Sequence, residues 1–261
     1  MNSEAILDLF RIIILVFVLS GCIRLLFRRK NMAFVVFFTL GIACILLSDC
    51  YWLAYDLLRP DSRMPLAANE ICEWAFFLLL GSAISSRYSK EYFRWKKEIV
   101  AVLLFVTGNV ALWIGWSGEW LQDILTGVAF ACFLCALVNQ IKQEGILDGG
   151  WGILLTVAGF VLILGQTGTL LEVIPEPVRK ILDYSCYFLM FTLLVTFMIR
   201  TVLSFREKKY SRTMCFSFLC FAWNVVTMYM SGDIFYLAAM CLSMVSFLLM
   251  YVALKREVTA E

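Results

Sequence analysis

The 261-residue chain contains no histidine. This absence excludes the Ser-His and Cys-His nucleophile pairs of many hydrolases, histidine-ligated zinc or haem, and a phosphate-accepting histidine. The sequence also has no glycine-rich nucleotide-binding motif between a strand and a helix, and no nucleic-acid-binding module. We therefore predict no cofactor, no metal site and no catalytic residue, and we expect that the protein is not an enzyme.

Charged residues are scarce, at 16% of the chain, and proline occurs only four times. Hydrophobic residues make up 62% of the chain and the mean hydropathy is +0.86, which is too apolar for a surface in contact with water. All ten cysteines fall in apolar stretches, a placement typical of small buried side chains rather than of a disulfide framework. The composition predicts an integral protein of the lipid bilayer.

Long apolar stretches separated by short connections organise the whole sequence. A membrane-spanning helix needs about 20 mostly apolar residues. Nine stretches meet this requirement: Ala5 to Phe27, Ala33 to Leu58, Ala68 to Ser86, Glu98 to Trp116, Trp120 to Ile141, Trp151 to Ile174, Val178 to Ser204, Thr213 to Met230 and Ile234 to Leu254. We predict an all-α integral membrane protein with about nine transmembrane helices and no soluble domain.

Lysine and arginine are distributed unevenly between the two ends of these stretches. If the N-terminus is outside, 17 of the 22 basic residues fall at cytoplasmic ends; the other five are Arg11, Arg59, Arg63, Arg179 and Lys180. This is the bias that the positive-inside rule describes. The first stretch carries Glu4 and Asp8 at its start and a basic cluster after it. This pattern is the reverse of a signal peptide, so we expect a retained first helix. The prediction is a multi-pass protein of the cell membrane, with its N-terminus outside and its C-terminus in the cytoplasm.

The sequence also shows an internal similarity at an offset of about 113 residues. Residues 93–97, FRWKK, return as residues 205–209, FREKK, and Asn109-Val110 returns as Asn224-Val225. Such similarity predicts a parallel duplication, with four helices in residues 1–118, four in residues 119–232, and a ninth helix with a short tail in residues 233–261. The two asparagines would then occupy equivalent places, where a hydrogen bond between helices and a paired ligand contact are both open alternatives.

Acidic residues concentrate at the predicted outer face. Thirteen of the 20 fall in the outer half, against five basic residues, so this face should attract cations. Several lie within the outermost turns of predicted helices: Asp8, Asp56, Glu70, Glu73, Asp123, Glu172 and Asp183. Asp49 lies about 10.5 Å deeper than Asp56, at about 1.5 Å per residue, and Trp52 lies between them on the same helix face.

An ionisable side chain at this depth is a candidate for a functional site. In one interpretation Arg11, which lies well inside an outer-half span, neutralises Asp49 or Glu73 in a structural ion pair. In the other, the surplus carboxylates line an outward-opening pocket for a ligand, with aromatic rings contacting a cationic group. The predicted ligand-binding residues are Arg11, Asp49, Trp52, Glu70, Glu73 and Asp183. The pocket interpretation predicts that Asp49→Asn weakens binding and leaves folding largely intact.

Three classes of function fit these features. The first is a protein that binds or transports a small cationic or zwitterionic ligand from the outer face. The second is a membrane-embedded sensor module that signals to a separate cytoplasmic partner protein docking on the basic loops. The third is an intramembrane enzyme that uses carboxylates such as Asp49 and Glu73 as acid and base, or as ligands of a divalent cation. The scarcity of polar residues in the inner halves of the spans weakens the case for a transporter and favours a sensor.

Overall fold

A computed structural model describes residues 3–28, 32–58, 68–88, 97–147, 150–171 and 174–260. Within these ranges the chain forms long α-helices and no strand, which confirms the predicted all-α class. The helices are α1 (Ser3–Leu26), α2 (Met32–Leu58), α3 (Ala68–Tyr88), α4 (Lys97–Ser117), α5 (Trp120–Gln143), α6 (Trp151–Leu170), α7 (Glu176–Arg206), α8 (Tyr210–Met230) and α9 (Asp233–Ala260).

Eight of the helices in the described ranges are long and apolar enough to cross a membrane, and the chain is therefore a multi-pass membrane protein. Helix α3 is the exception. It carries Asn69, Glu70 and Glu73 in its first turns and serines with Arg87 near its end, and these polar residues lower its apolar character. Helix α3 nevertheless packs between α2 and α5, and Asn69 and Glu70 at its start are buried there, whereas the serines near its end are exposed.

Helix α8 is the centre of the bundle. The other eight helices surround it in the order α1, α2, α3, α5, α4, α6, α7 and α9, and α9 packs against α1 to close the ring. Aromatic side chains of α8 contact rings on seven of these helices, in the pairs Phe216 with Trp151, Phe218 with Phe38 and Phe133, Phe221 with Phe76 and Phe247, and Trp223 with Phe105 and Phe197. Such pairs contribute about 0.5–1.5 kcal/mol each beyond the area that they bury, so they help to fix the helices around α8.

Polar contacts between helix ends define two faces of the bundle. Arg87 at the end of α3 pairs with Glu257 at the end of α9, and Lys142 at the end of α5 pairs with Glu98 at the start of α4. We call this end of the bundle the basic face. The starts of α1, α3, α5 and α9 meet the ends of α2 and α8 at the opposite end, which we call the acidic face. The helices that contribute to these contacts therefore alternate in direction, as in the predicted topology.

The packing of the helices gives the predicted duplication no support. That prediction equates α4 with α8, but α8 is central, whereas α4 packs at the periphery on α5 and α6. It also equates α3 with α7, yet α7 packs along α8 while α3 packs on α2 and α5. The duplication and its boundaries at residues 118 and 232 stay predictions. Residues 93–96 of its strongest motif lie outside the described residues.

Several charges used in the orientation argument also lie outside the described residues. They are Arg29, Lys30, Arg59, Asp61, Arg63, Lys90, Arg94, Lys96 and Glu172, together with the side chains of Glu4, Asp56 and Asp233. The charged residues that the structure describes are distributed as the sequence predicts. Lys142, Arg200 and Arg212 lie at the basic face, and Asp8 and Glu73 lie at the acidic face. The assignment of the basic face to the cytoplasm stays a prediction from the positive-inside rule.

We expect topology reporters to reproduce this assignment. Fusions after Lys142, Lys209 and Glu261 should report cytoplasm, and a fusion near Glu176 should report the outside, because the basic loops are retained on the cytoplasmic side. Paired alkaline phosphatase and fluorescent-protein fusions provide the measurement. A single reversed loop between α5 and α8 would contradict the alternating arrangement.

Candidate functional site

A cavity of about 380 Å³ lies at the acidic face, between α1, α2, α3, α5, α8 and α9. The part of the cavity nearest the acidic face is lined by side chains close to helix ends, including Asn69, Gln122 and Tyr229. On α9 it extends from Tyr236 to Phe247, about 16 Å at about 1.5 Å per residue. The cavity thus reaches about halfway through a hydrocarbon core about 30 Å thick.

Four of the six predicted site residues line this cavity: Arg11, Asp49, Trp52 and Glu73. Glu70 is buried on α3, one turn from Glu73, and is not part of the lining. Asp183 lies on α7 beside Gln166 and Tyr187, away from the cavity. The structure therefore brings four of the six together. A ligand-binding role for any of them stays a prediction.

Arg11 and Asp49 form a buried ion pair across the start of α1 and the end of α2. The distance from Arg11 Nε to Asp49 Oδ2 is 2.9 Å, and the two side chains are 12% and 4% exposed. The guanidinium also lies over the ring of Phe247, 5.9 Å from its centroid. This geometry is that of the structural ion pair considered from the sequence, although both members also line the cavity.

Glu73 has a different environment from Asp49. Its Oε1 accepts a hydrogen bond from Ser48 Oγ at 3.3 Å, and its Oε2 accepts one from Tyr229 Oη at 3.0 Å. Both donors are neutral hydroxyls, and they hold the carboxylate in position. Arg11, which forms an ion pair with Asp49, also exerts an attractive Coulombic interaction on Glu73.

The charged side chains that line the cavity have a negative balance. Among the lining residues that the structure describes, Asp8, Asp49 and Glu73 accompany one arginine, Arg11, which gives a formal charge of −2 when all four are ionised. Carboxylates in a partly enclosed, low-dielectric space attract cations more strongly than the same groups do in water. The cavity is therefore suited to a positively charged group.

Asn224 supplies a hydrogen-bond acceptor deep in the cavity. The residue is fully buried in the second half of α8, and its Nδ2 donates to the carbonyl oxygen of Ala239 on α9 at 3.1 Å. Its Oδ1 has no hydrogen-bond partner. Leaving a buried acceptor without a partner costs about 1–3 kcal/mol, so a donor group on a ligand would gain from contact with this oxygen. Asn109 does not line the cavity and donates within its own helix to Phe105.

Aromatic side chains close the cavity toward the basic face. We call Phe76, Phe77, Phe221 and Phe247 the aromatic floor; all four are buried and line the cavity. Neighbouring rings within it have centroids 5.3 to 6.2 Å apart. The floor therefore separates the polar upper part of the cavity from the centre of the bundle.

Sequence reasoning did not select several polar residues of the lining. They are Asp8, Asn69, Gln122, Tyr229, Tyr236 and Ser243. Each lies within about four turns of a helix end at the acidic face, and this depth was the feature of the sequence that could have indicated a place in the cavity. Depth alone does not tell which side of a helix faces the cavity, because residues at one depth are spread around the helix axis.

The helices and the cavity define the class: an α-helical, multi-pass membrane protein with a polar cavity at one face. Within the described residues, no group of three or more histidine, cysteine, aspartate or glutamate side chains is arranged to hold a metal ion. Comparison of the chain with protein-family models, curated proteins and solved structures gives no match.

Proposed function

We propose that the protein binds a small cationic or zwitterionic molecule in the cavity at the acidic face, which the positive-inside rule places outside the cell. The observation that carries this proposal is the surplus of carboxylates over arginine in a cavity with an aromatic floor. Charged groups at this depth in a membrane protein are costly and mark functional sites by default. Aromatic faces add a favourable electrostatic interaction with a cation of about 0.5–2 kcal/mol.

The arrangement suggests how such a ligand lies. An ammonium group is best placed between Glu73 and Asn224 Oδ1, since the first provides negative charge and the second an unfilled acceptor. The apolar part of the ligand then contacts the aromatic floor and Trp52. In a zwitterion, the anionic group is best placed on the side of Arg11. We propose a binding role and not a catalytic one, because Asp49 is already paired with Arg11.

Transport and sensing differ in what the aromatic floor does. Transport requires the floor to open, whereas a sensor needs only a shift of its rings when the ligand binds. The closed floor favours the sensor as a second candidate. Phe76 and Phe247 of the floor lie on α3 and α9, and these two helices continue to the ion pair of Arg87 and Glu257 at the basic face. A movement of the rings could therefore be transmitted along both helices to that face. A separate cytoplasmic protein that docks on the basic loops would then read the shift.

We expect Glu73→Gln to weaken the binding of a cationic ligand by about 10- to 100-fold, because a hydrogen bond to a charged group contributes about 1.5–3 kcal/mol. The protein in lipid nanodiscs would first be screened by thermal shift against primary amines, quaternary amines and amino acids. Isothermal titration of the best compound against wild type and variant then measures the loss.

Asp183→Asn is the matched control. It removes a carboxylate of the same half of the protein that does not line the cavity, so ligand affinity should be unchanged. Preferred binding of anions, or equal affinities for wild type and Glu73→Gln, would contradict the proposal. Uptake of the labelled compound into proteoliposomes distinguishes transport from sensing.

A further inference from the structure

A second cavity, of about 180 Å³, lies on another side of α8 and shares no lining residue with the first. Its outer walls are α4 and α6, and its inner walls are α5 and α8. Leu104 and Phe160 on the outer walls are 57% and 53% exposed, whereas Leu219 and Trp223 on α8 are buried. The cavity therefore runs from the bilayer-facing surface, between α4 and α6, to the central helix.

The lining is almost wholly apolar. Phe105 of α4 stacks on Trp223 of α8, with ring centroids 6.3 Å apart, and Ala101, Leu155 and Ile163 complete the wall between them. Protein interiors are close-packed, so atoms that line an empty space lack the dispersion contacts that they would make if the space were filled. In a bilayer the apolar groups at hand to fill such a space are acyl chains.

Charged residues lie at the end of this cavity nearest the basic face. Glu98 lines it and accepts a hydrogen bond from Lys142 Nζ. Lys97 precedes Glu98 at the start of α4, and Arg200 lies over the ring of Trp151, 5.5 Å from its centroid and next to the lining residue Gly152. Among these four charged residues the basic side chains outnumber the carboxylate, which complements an anionic headgroup.

We propose that this cavity binds one acyl chain of an anionic phospholipid from the leaflet at the basic face, with the phosphate against Lys142 and its neighbours. The apolar interior determines that the ligand contributes a hydrocarbon chain, and the charge at the entrance determines the sign of the headgroup. The proposal is independent of the cavity at the acidic face and of what that cavity binds.

The first test fills the cavity. Ala101→Phe places a ring in the lining, whereas Ala111→Phe places the same ring on the exposed surface of the same helix, outside the lining. Native mass spectrometry with phosphatidylglycerol should show one retained lipid on wild type and on Ala111→Phe, and at least about a tenfold loss of retention on Ala101→Phe. Equal retention by the two variants would overturn the proposal.

The second test concerns the headgroup. Lys142→Gln should reduce retention of phosphatidylglycerol, because it removes a positive charge from the entrance. Glu98→Gln should increase retention, because it removes a negative charge. Phosphatidylcholine with the same acyl chains should be retained less than phosphatidylglycerol by wild type. Equal retention of the two lipids, or no effect of either variant, would overturn the anionic headgroup.

A third measurement needs only the wild-type protein and applies even if Ala101→Phe fails to fold. Phosphatidylglycerol with a diazirine at the middle of one acyl chain should crosslink to the buried segment of α8 around Trp223, which bulk lipid does not reach. Labelling confined to exposed side chains around the bundle would show that no chain enters the cavity.

Discussion

Replacing Arg11 by leucine is expected to destabilise the protein by about 3–5 kcal/mol, because the substitution leaves the Asp49 carboxylate buried without its cation. The two side chains meet between α1 and α2, below the acidic face, where they are 12% and 4% exposed. Asp49→Asn should also be destabilising, since the guanidinium then loses its anion. Reversible unfolding in mixed detergent and SDS micelles measures both effects.

The double variant Arg11→Leu with Asp49→Leu separates a buried charge from a general packing defect. Replacing both members of a buried pair by apolar side chains is often close to neutral, so the double variant should recover most of the lost stability. The exposed pair of Glu176 and Lys180 provides a control, since Glu176→Gln should cause no measurable change. Wild-type stability for Arg11→Leu would contradict a contribution from the pair.

This ion pair revises an expectation drawn from the sequence. The pocket interpretation predicts that Asp49→Asn spares folding, but the pairing with Arg11 predicts a cost in stability as well. The sequence made the pair foreseeable, because Arg11 is eight residues into α1 and Asp49 is nine residues before the end of α2. Side chains at similar depths on adjacent antiparallel helices can meet. Glu73 is therefore the better carboxylate with which to test binding separately from folding.

Composition and apolar length were sufficient to predict the membrane class, the helical fold and the approximate spans, since all three follow from the cost of exposing backbone and polar groups to lipid. The order of the helices around α8 was not predictable in this way. Lipid tails are as apolar as the side chains, so helix association depends on small residues, shape and hydrogen bonds. In retrospect, α8 carries a signal, because it is the least apolar of the eight candidate spans and the most buried.

The site residues also divide into those that depth along a helix predicts and those that depend on how the helices pack. Depth along the helices predicted Arg11, Asp49, Trp52 and Glu73, which all line the cavity. Depth cannot indicate which helices enclose a cavity, and Asp183 lies on α7, outside the set of helices that form it. Asn224 was visible only as one of two matched asparagines. Its unfilled acceptor depends on the packing of α8 against α9, which no local pattern specifies.

The ion pair at the basic face should be as important to stability as the one at the acidic face. Arg87 Nη2 lies 2.6 Å from Glu257 Oε1, and the side chains are 14% and 6% exposed. The guanidinium also lies over Phe34 of α2, 6.0 Å from the ring centroid, so the pair joins α3 and α9 and holds both near α2. Arg87→Leu should therefore cost about 3–5 kcal/mol, measured by the same unfolding assay.

Exchanging the two charges tests whether the pair itself is responsible. Arg87→Glu with Glu257→Arg restores opposite charges between α3 and α9 and should recover part of the stability that either single substitution loses. Glu207→Gln is the control at the same face, because the pair of Glu207 with Lys209 is exposed and should contribute nothing measurable. If the exchanged variant is no more stable than the single variants, the cost arises from packing around Phe34 instead of from the charges.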